Sequence, residues 1–265
     1  MKNNIILQYL QTRFSWHRYL PLVILLLFAA IDFNQIPRLE QLMPSGILLF
    51  GLLLQFRLWD DFHDLPYDRI HHANRVLVHD KSKLLGKTLL SIFLINIILL
   101  IHLHTPLSYS IFILLCGLHI ILHHAHNPRN RESIIYAHLN LVKYPTIFLL
   151  VSSVLYPFFG TTQMVSMLVI YLCFSVYEIS HDKHLRCHRL ANIFIGFNFG
   201  LLSLLVIGFG PPVSKLIFPI MVSLLMGTFI YWLFYSNKYS IRNFHYGVFV
   251  IGIVALINNK FGITM

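Results

Sequence analysis

Residues 84–104 read Leu84-Leu-Gly-Lys-Thr-Leu-Leu-Ser-Ile-Phe-Leu-Ile-Asn-Ile-Ile-Leu-Leu-Ile-His-Leu-His104. A helix needs about 20 mostly apolar residues to cross the hydrocarbon core of a bilayer. This run has that length and one formal charge, Lys87, a turn from its start. Its apolar residues are continuous rather than alternating, so it is not a barrel strand. Backbone polar groups in lipid must be satisfied within the segment, and a helix does this.

Working outward, eight more runs of the same kind appear, giving spans at about 18–36, 42–59, 84–104, 107–124, 136–158, 162–180, 190–209, 212–235 and 243–262. The composition agrees. Of 265 residues, 57% are hydrophobic and only 11% charged, against about 25% charged in soluble domains, and the mean hydropathy is +0.69. Too few charges remain to cover a water-facing surface, which excludes an ordinary soluble domain. The expected fold is all-α, a polytopic bundle of nine transmembrane helices. No cleavable signal peptide is expected, because Met1 to Ser15 lacks a basic start followed by an apolar core. Cys116, Cys173 and Cys187 are widely spaced and imply neither a disulfide framework nor a CxxC metal site.

The basic residues orient the bundle. With the N-terminus inside, the inner segments carry Lys2, Arg13, Arg18, Arg57, Arg69, Arg75, Lys81, Lys83, Lys87, Arg129, Arg131, Lys143, Lys183, Arg186, Arg189, Lys238 and Arg242. Arg38, Lys215 and Lys260 are left outside. A 17:3 split is what the positive-inside rule requires of an N-in, C-out arrangement. The net charge of +10 then belongs to basic loops facing anionic headgroups, so membrane lipids are the expected partners and nucleic acid is not.

The acids are less evenly spread. Four of the ten lie within 60–68, in Arg57-Leu-Trp-Asp-Asp-Phe-His-Asp-Leu-Pro-Tyr-Asp-Arg69. Asp61, Asp64 and Asp68 are spaced i, i+3, i+7, one face of a helix shared with Arg57. Pro66 disfavours helix at Leu65 and is expected to kink or end the span there, leaving Asp61 and Asp64 as the firmer pair. Clustered carboxylates repel unless a cation sits among them. Mg²⁺ suits them, since it takes hard oxygens and is usually held by one or two carboxylates with substrate phosphates. Arg69, Arg75, Lys81 and Lys83 follow directly and suit the remaining phosphate oxygens. In a second polar stretch, Tyr177-Glu-Ile-Ser-His-Asp-Lys-His-Leu-Arg186, Glu178 and Asp182 are i, i+4. A solvated loop obeying the positive-inside rule explains the bases of both stretches but not the four clustered acids.

With these residues the chain resembles the UbiA superfamily of intramembrane prenyltransferases, known for nine transmembrane helices and two cytoplasmic Asp-rich motifs. The first motif is commonly written N/D-D-x-x-D-x-x-x-D, and Asp60-Asp61-Phe62-His63-Asp64-Leu65-Pro66-Tyr67-Asp68 fits it, with Asp60 where Asn is usual. Arg69 and Asn74-Arg75 resemble the basic run that follows it. The second motif, usually D-x-x-x-D, is degenerate here; Glu178-x-x-x-Asp182 is the best fit. The resemblance implies one domain over 1–265, a multi-pass protein with its site on the cytoplasmic side, in the inner membrane if the source is bacterial. It also implies a prenyl diphosphate and a lipophilic acceptor as partners and Mg²⁺ as cofactor. Asp60, Asp61, Asp64, Asp68, Glu178 and Asp182 would be the acidic and metal-binding groups, with Arg57, Arg69, Arg75, Lys143 and Lys183 on the diphosphate. Lys143 could equally be a snorkelling side chain.

Other outcomes stay open. Capture of the allylic cation by the substrate's own double bond would make the chain a terpene cyclase of the same superfamily. His119-x-x-x-His123-His124, with His181, His184 and His188, resembles a histidine box of membrane di-iron oxidases, although no third box of the right form is present. A transporter or scaffold is disfavoured because the ionisable residues gather at span ends, with Pro145 and Pro219 the mid-span break candidates.

Overall fold

In the computed structural model, residues 5–14, 16–32, 35–80, 83–103, 105–124, 134–156, 160–181, 253, 256 and 257 are described. They are all-helical, with no strand among them. The elements are α1 (Ile5–Arg13), α2 (Trp16–Ala30), α3 (Leu39–His63), α4 (Leu65–His71), a 3₁₀ turn (Val76–His79), α5 (Leu84–Leu103), α6 (Pro106–His124), α7 (Ile134–Leu141), α8 (Lys143–Leu155) and α9 (Thr161–His181). They divide between two compact units, one comprising 1–31, 35–114 and 150–158, the other 32–34, 115–149 and 159–265.

Three helical stretches are long and apolar enough to cross a membrane among the described residues: Leu39–His63, Leu84–Leu103 and His138–Leu155. Pro106–Leu122 and Gln163–Ser175 are apolar but shorter. The first six expected spans fall on α2, α3, α5, α6, α7 with α8, and α9. The expected spans 190–209, 212–235 and 243–262 lie outside the described residues, apart from helical positions Ile253, Leu256 and Ile257. The fifth is interrupted at Val142. Pro145 offers no N–H to the Leu141 carbonyl, and the ladder restarts with the Thr146 N–H on the Val142 carbonyl at 3.1 Å. Helix α1 was not anticipated, since nine residues make no apolar run of spanning length.

Helix α5 shows which solvent the first unit is built for. Leu90, Leu94, Ile98 and Ile101 form a stripe at i, i+4, i+8, i+11, each half or more exposed, while Asn96 is fully buried. A water-soluble helix is arranged the other way. The buried Asn96 meets α3, the helix against which α5 packs most extensively. Asn96 Nδ2 donates to Gln55 Oε1 at 2.8 Å, and both residues are fully buried. A side-chain hydrogen bond between apolar helices holds them in register where lipid gives no hydrophobic drive to associate.

Gly51, one turn before Gln55, leaves room for that amide. A Cβ placed there would collide with Asn96 Oδ1. The expected result for Gly51→Val is a loss of about 1–3 kcal/mol through overpacking, read as a lower unfolding midpoint in detergent. Gly46→Ala, whose Cβ would meet only Leu27 at 3.6 Å, should unfold like the parent.

Candidate functional site

The acid-rich stretch begins inside α3 and runs through α4. The helix is interrupted at Asp64. Asp64 keeps right-handed helical angles (φ −76°, ψ −7°) and serves both as the end of α3 and the cap of α4. Pro66 falls in the first turn of α4, where a missing N–H costs nothing because that donor has no partner in the helix. Leu65 is therefore helical despite the proline after it. The backbone ladder continues through Asp64 N–H to Asp60 O, Asp68 N–H to Asp64 O and His72 N–H to Asp68 O, all 2.8–2.9 Å.

The side chains diverge. Asp61 is only 4% exposed and faces α1. Tyr9 Oη donates to Asp61 Oδ2 at 2.8 Å. Arg13 Nε donates to the same oxygen at 3.1 Å, and Arg13 Nη2 donates to Oδ1. Arg57 Nη2 lies 3.7 Å from Oδ1, one turn back on α3. Burial first, and then the Asp61 carboxylate, push the Tyr9 phenol well above its ordinary range, so Tyr9 is a permanent donor at any working pH.

Asp68 is 1% exposed, and Arg75 Nη1 donates to both its oxygens. Arg75 immediately precedes the 3₁₀ turn, so this pair closes the segment between α4 and that turn. Arg75→Ala would strand a buried carboxylate, with an expected cost of about 1–3 kcal/mol; urea unfolding in mild detergent would measure it. Asp64 has a 40% exposed side chain and lies 3.9 Å from His63 Nδ1. Asp60 is half-buried and Arg69 exposed. Asp80 takes a structural part, its Oδ2 accepting the Leu85 N–H at 2.8 Å in the first turn of α5.

Among the described residues no three His, Cys, Asp or Glu side chains come together as a metal cluster. Asp61 and Asp68 are held by guanidinium groups. The described residues do not form a resident three-carboxylate site. They fit a cation brought in by a phosphate, which needs one or two carboxylates from the protein; Asp64 and Asp60, one turn apart, are the acids of that kind.

In the other unit, Lys143 opens α8 directly after the break at Val142 and is 6% exposed. Its Nζ donates to Asn140 Oδ1 at 3.2 Å and lies 5.6 Å from the Tyr144 ring centroid. Tyr144 stacks on Phe174 of α9 at 4.0 Å. His138 Nδ1 is 2.9 Å from Tyr171 Oη and 3.3 Å from Ser175 Oγ, which ties α7 to α9. Glu178 lies on α9, three residues after Ser175. Asp182 and Lys183 lie outside the described residues, as do His184 and His188.

Reading the sequence alone missed Tyr9 and Arg13. Arg13 counted only as one more inside charge, and its i, i+4 relation to Tyr9 was the available signal.

No family model matches the chain, and no curated protein matches it in sequence. Its fold matches a solved structure, that of a digeranylgeranylglyceryl phosphate synthase in membranes, with a TM-score of 0.58 over 91% of this chain and 91% of that one. The sequences are 14% identical, and the likeness is one of fold.

Proposed function

We propose that this chain is an intramembrane prenyltransferase that ionises a prenyl diphosphate with Mg²⁺ and passes the prenyl group to a lipophilic acceptor. One observation carries the reading. Four acids and their basic neighbours lie at the end of one helix fit to span a membrane and in the segment leading to the next, in a fold shared over nine-tenths of the chain with a digeranylgeranylglyceryl phosphate synthase. The same reading takes 1–265 as one prenyltransferase domain of nine spans, N-in and C-out, with the acidic stretches on the cytoplasmic side.

The diphosphate end falls to 57–75. Arg57, Arg69 and Arg75 are the cations from which phosphate oxygens draw hydrogen bonds, and planar guanidinium suits that task. Asp64, with Asp60, holds the cation that accompanies the diphosphate. When bound, Mg²⁺ neutralises charge growing on the departing diphosphate. Lys143, Glu178, Asp182 and Lys183 are assigned the same kind of role, charge stabilisation around a diphosphate. The C–O bond to diphosphate breaks and the leaving group keeps the electron pair. An electron pair of the acceptor forms the new bond to the allylic carbon, and the acceptor's displaced proton passes to water. Apolar helices keep bulk water from the cation, and aromatic faces attract it.

The test is Mg²⁺-dependent diphosphate release from geranyl, farnesyl and geranylgeranyl diphosphates by detergent-purified protein, with and without lipid hydroxyl and quinone acceptors. Release with a prenylated acceptor supports the reading, and release with a cyclic hydrocarbon and no acceptor adduct replaces it with a cyclase. No release from any of the three overturns it.

A further inference from the structure

Helix α1 is neither a span nor part of either acidic stretch, yet it reaches the acid-rich segment at two places. Its polar contacts go to Asp61 through Tyr9 and Arg13. Its apolar side, Ile5, Ile6 and Tyr9, packs into a cluster with Leu58 of α3, Val76 and Leu77 of the 3₁₀ turn, and Leu85 of α5. The segment 61–77 leaves this cluster at α3 and returns to it at the 3₁₀ turn. Phe14, fully buried just after α1, stacks on Tyr19 at 3.6 Å and meets Phe50 of α3 edge-on at 5.2 Å. The helix is thus seated at both ends, across the two ends of the segment that carries Asp64 and Asp68.

We propose that α1 is a strap over the acid-rich segment, fastened by Asp61, and that Asp61 is a positioning residue and not a ligand of the catalytic cation. Three donors already converge on that carboxylate, with Arg57 as a fourth group nearby. These three donors take three of the roughly four lone-pair sites of this carboxylate, which is 4% exposed. Arg57 lies against the oxygen that carries the fourth, so an incoming cation would have to displace a guanidinium. Releasing Arg13 would give up two charge-assisted hydrogen bonds to a buried carboxylate, which opposes the exchange. Fastening also fixes Arg57, which shares the Asp61 carboxylate from the α3 side. Its guanidinium is therefore set in place before any phosphate arrives. The consequence for turnover rests on the prenyl diphosphate reading; the strap itself does not.

The experiment has two arms on the full-length protein in detergent. In the first, amide hydrogen exchange of residues 5–14 is followed without Mg²⁺ or substrate. Arg13→Gln and Asp61→Asn should each raise exchange of α1 by about 10- to 100-fold, the loss of a charged hydrogen-bonded pair. The double variant should go no further than either single one. Tyr9→Phe, which deletes one hydroxyl and keeps the ring in the cluster, should give a smaller rise, and Asp64→Asn none. In the second arm, the Mg²⁺ concentration for half-maximal diphosphate release is compared. Asp61→Asn should lower the maximal rate and leave this concentration unchanged, whereas Asp64→Asn should raise it. Unchanged α1 exchange in Arg13→Gln, Asp61→Asn and Tyr9→Phe would overturn the strap. A Mg²⁺ requirement shifted as far by Asp61→Asn as by Asp64→Asn would overturn the positioning role. If the protein releases no diphosphate at all, the prenyl reading falls while the exchange arm still decides the strap.

Discussion

Asp64→Asn is expected to lower Mg²⁺-dependent diphosphate release by about 100-fold or more, the scale on which a single electrostatic contact to a leaving group acts. Asp64 sits where α3 gives way to α4 and is, at 40% side-chain exposure, more open than Asp61 or Asp68. Its carboxylate makes no capping hydrogen bond to α4, so the amide should keep the helix while removing a negative charge. Asn is also a poorer ligand for a hard cation than carboxylate. The check is a radiometric release assay at several Mg²⁺ concentrations. The deficit should narrow but not close as Mg²⁺ rises, and the unfolding midpoint should match the parent. Equal rates at all concentrations would remove Asp64 from the site.

Lys143→Met should produce the second large effect, a fall of about 100-fold in kcat/KM for the diphosphate substrate. Lys143 is buried, not splayed toward an interface, and it is held at the first residue of α8 by Asn140 and the Tyr144 ring. Keeping an ammonium inside an apolar bundle is costly, and ionisable residues so placed are functional by default. Methionine matches its length without the charge, and Lys143→Arg, which keeps the charge but changes its shape, should recover part of the loss. Asn140→Ala removes one acceptor of the ammonium but keeps its charge, and should cost much less. Full activity in Lys143→Met would make the residue structural.

The fold class was legible from short windows. Runs such as 84–104 carry both their length and their lack of charge in consecutive residues, and the backbone's need for internal hydrogen bonds makes them helical wherever they pack. Asp60, Asp61, Asp64 and Asp68 were legible for the same reason, as neighbours in the chain. Pro145 could be named as a break candidate because a proline acts on its own helix, and the structure puts the break at Val142. The effect of Pro66 could not be settled that way: whether it ends a helix or starts one depends on the backbone of the residues before it, and Asp64, two positions back, holds helical angles that let α4 begin at Leu65.

What the tertiary structure alone decided is which charge each acid meets. Asp61 and Asp64 are three residues apart and look equivalent in the chain, yet one is held by Tyr9 and Arg13, 52 and 48 positions away, while the other stands partly open. Gln55 finding Asn96 over 41 positions, and His138 finding Tyr171 over 33, are decisions of the same kind. Local sequence sets helix, span and side-chain spacing because those depend on dihedral angles and on transfer of consecutive residues into lipid. A buried charge takes its partner from whichever helix packs beside it, and that is a property of the assembled bundle.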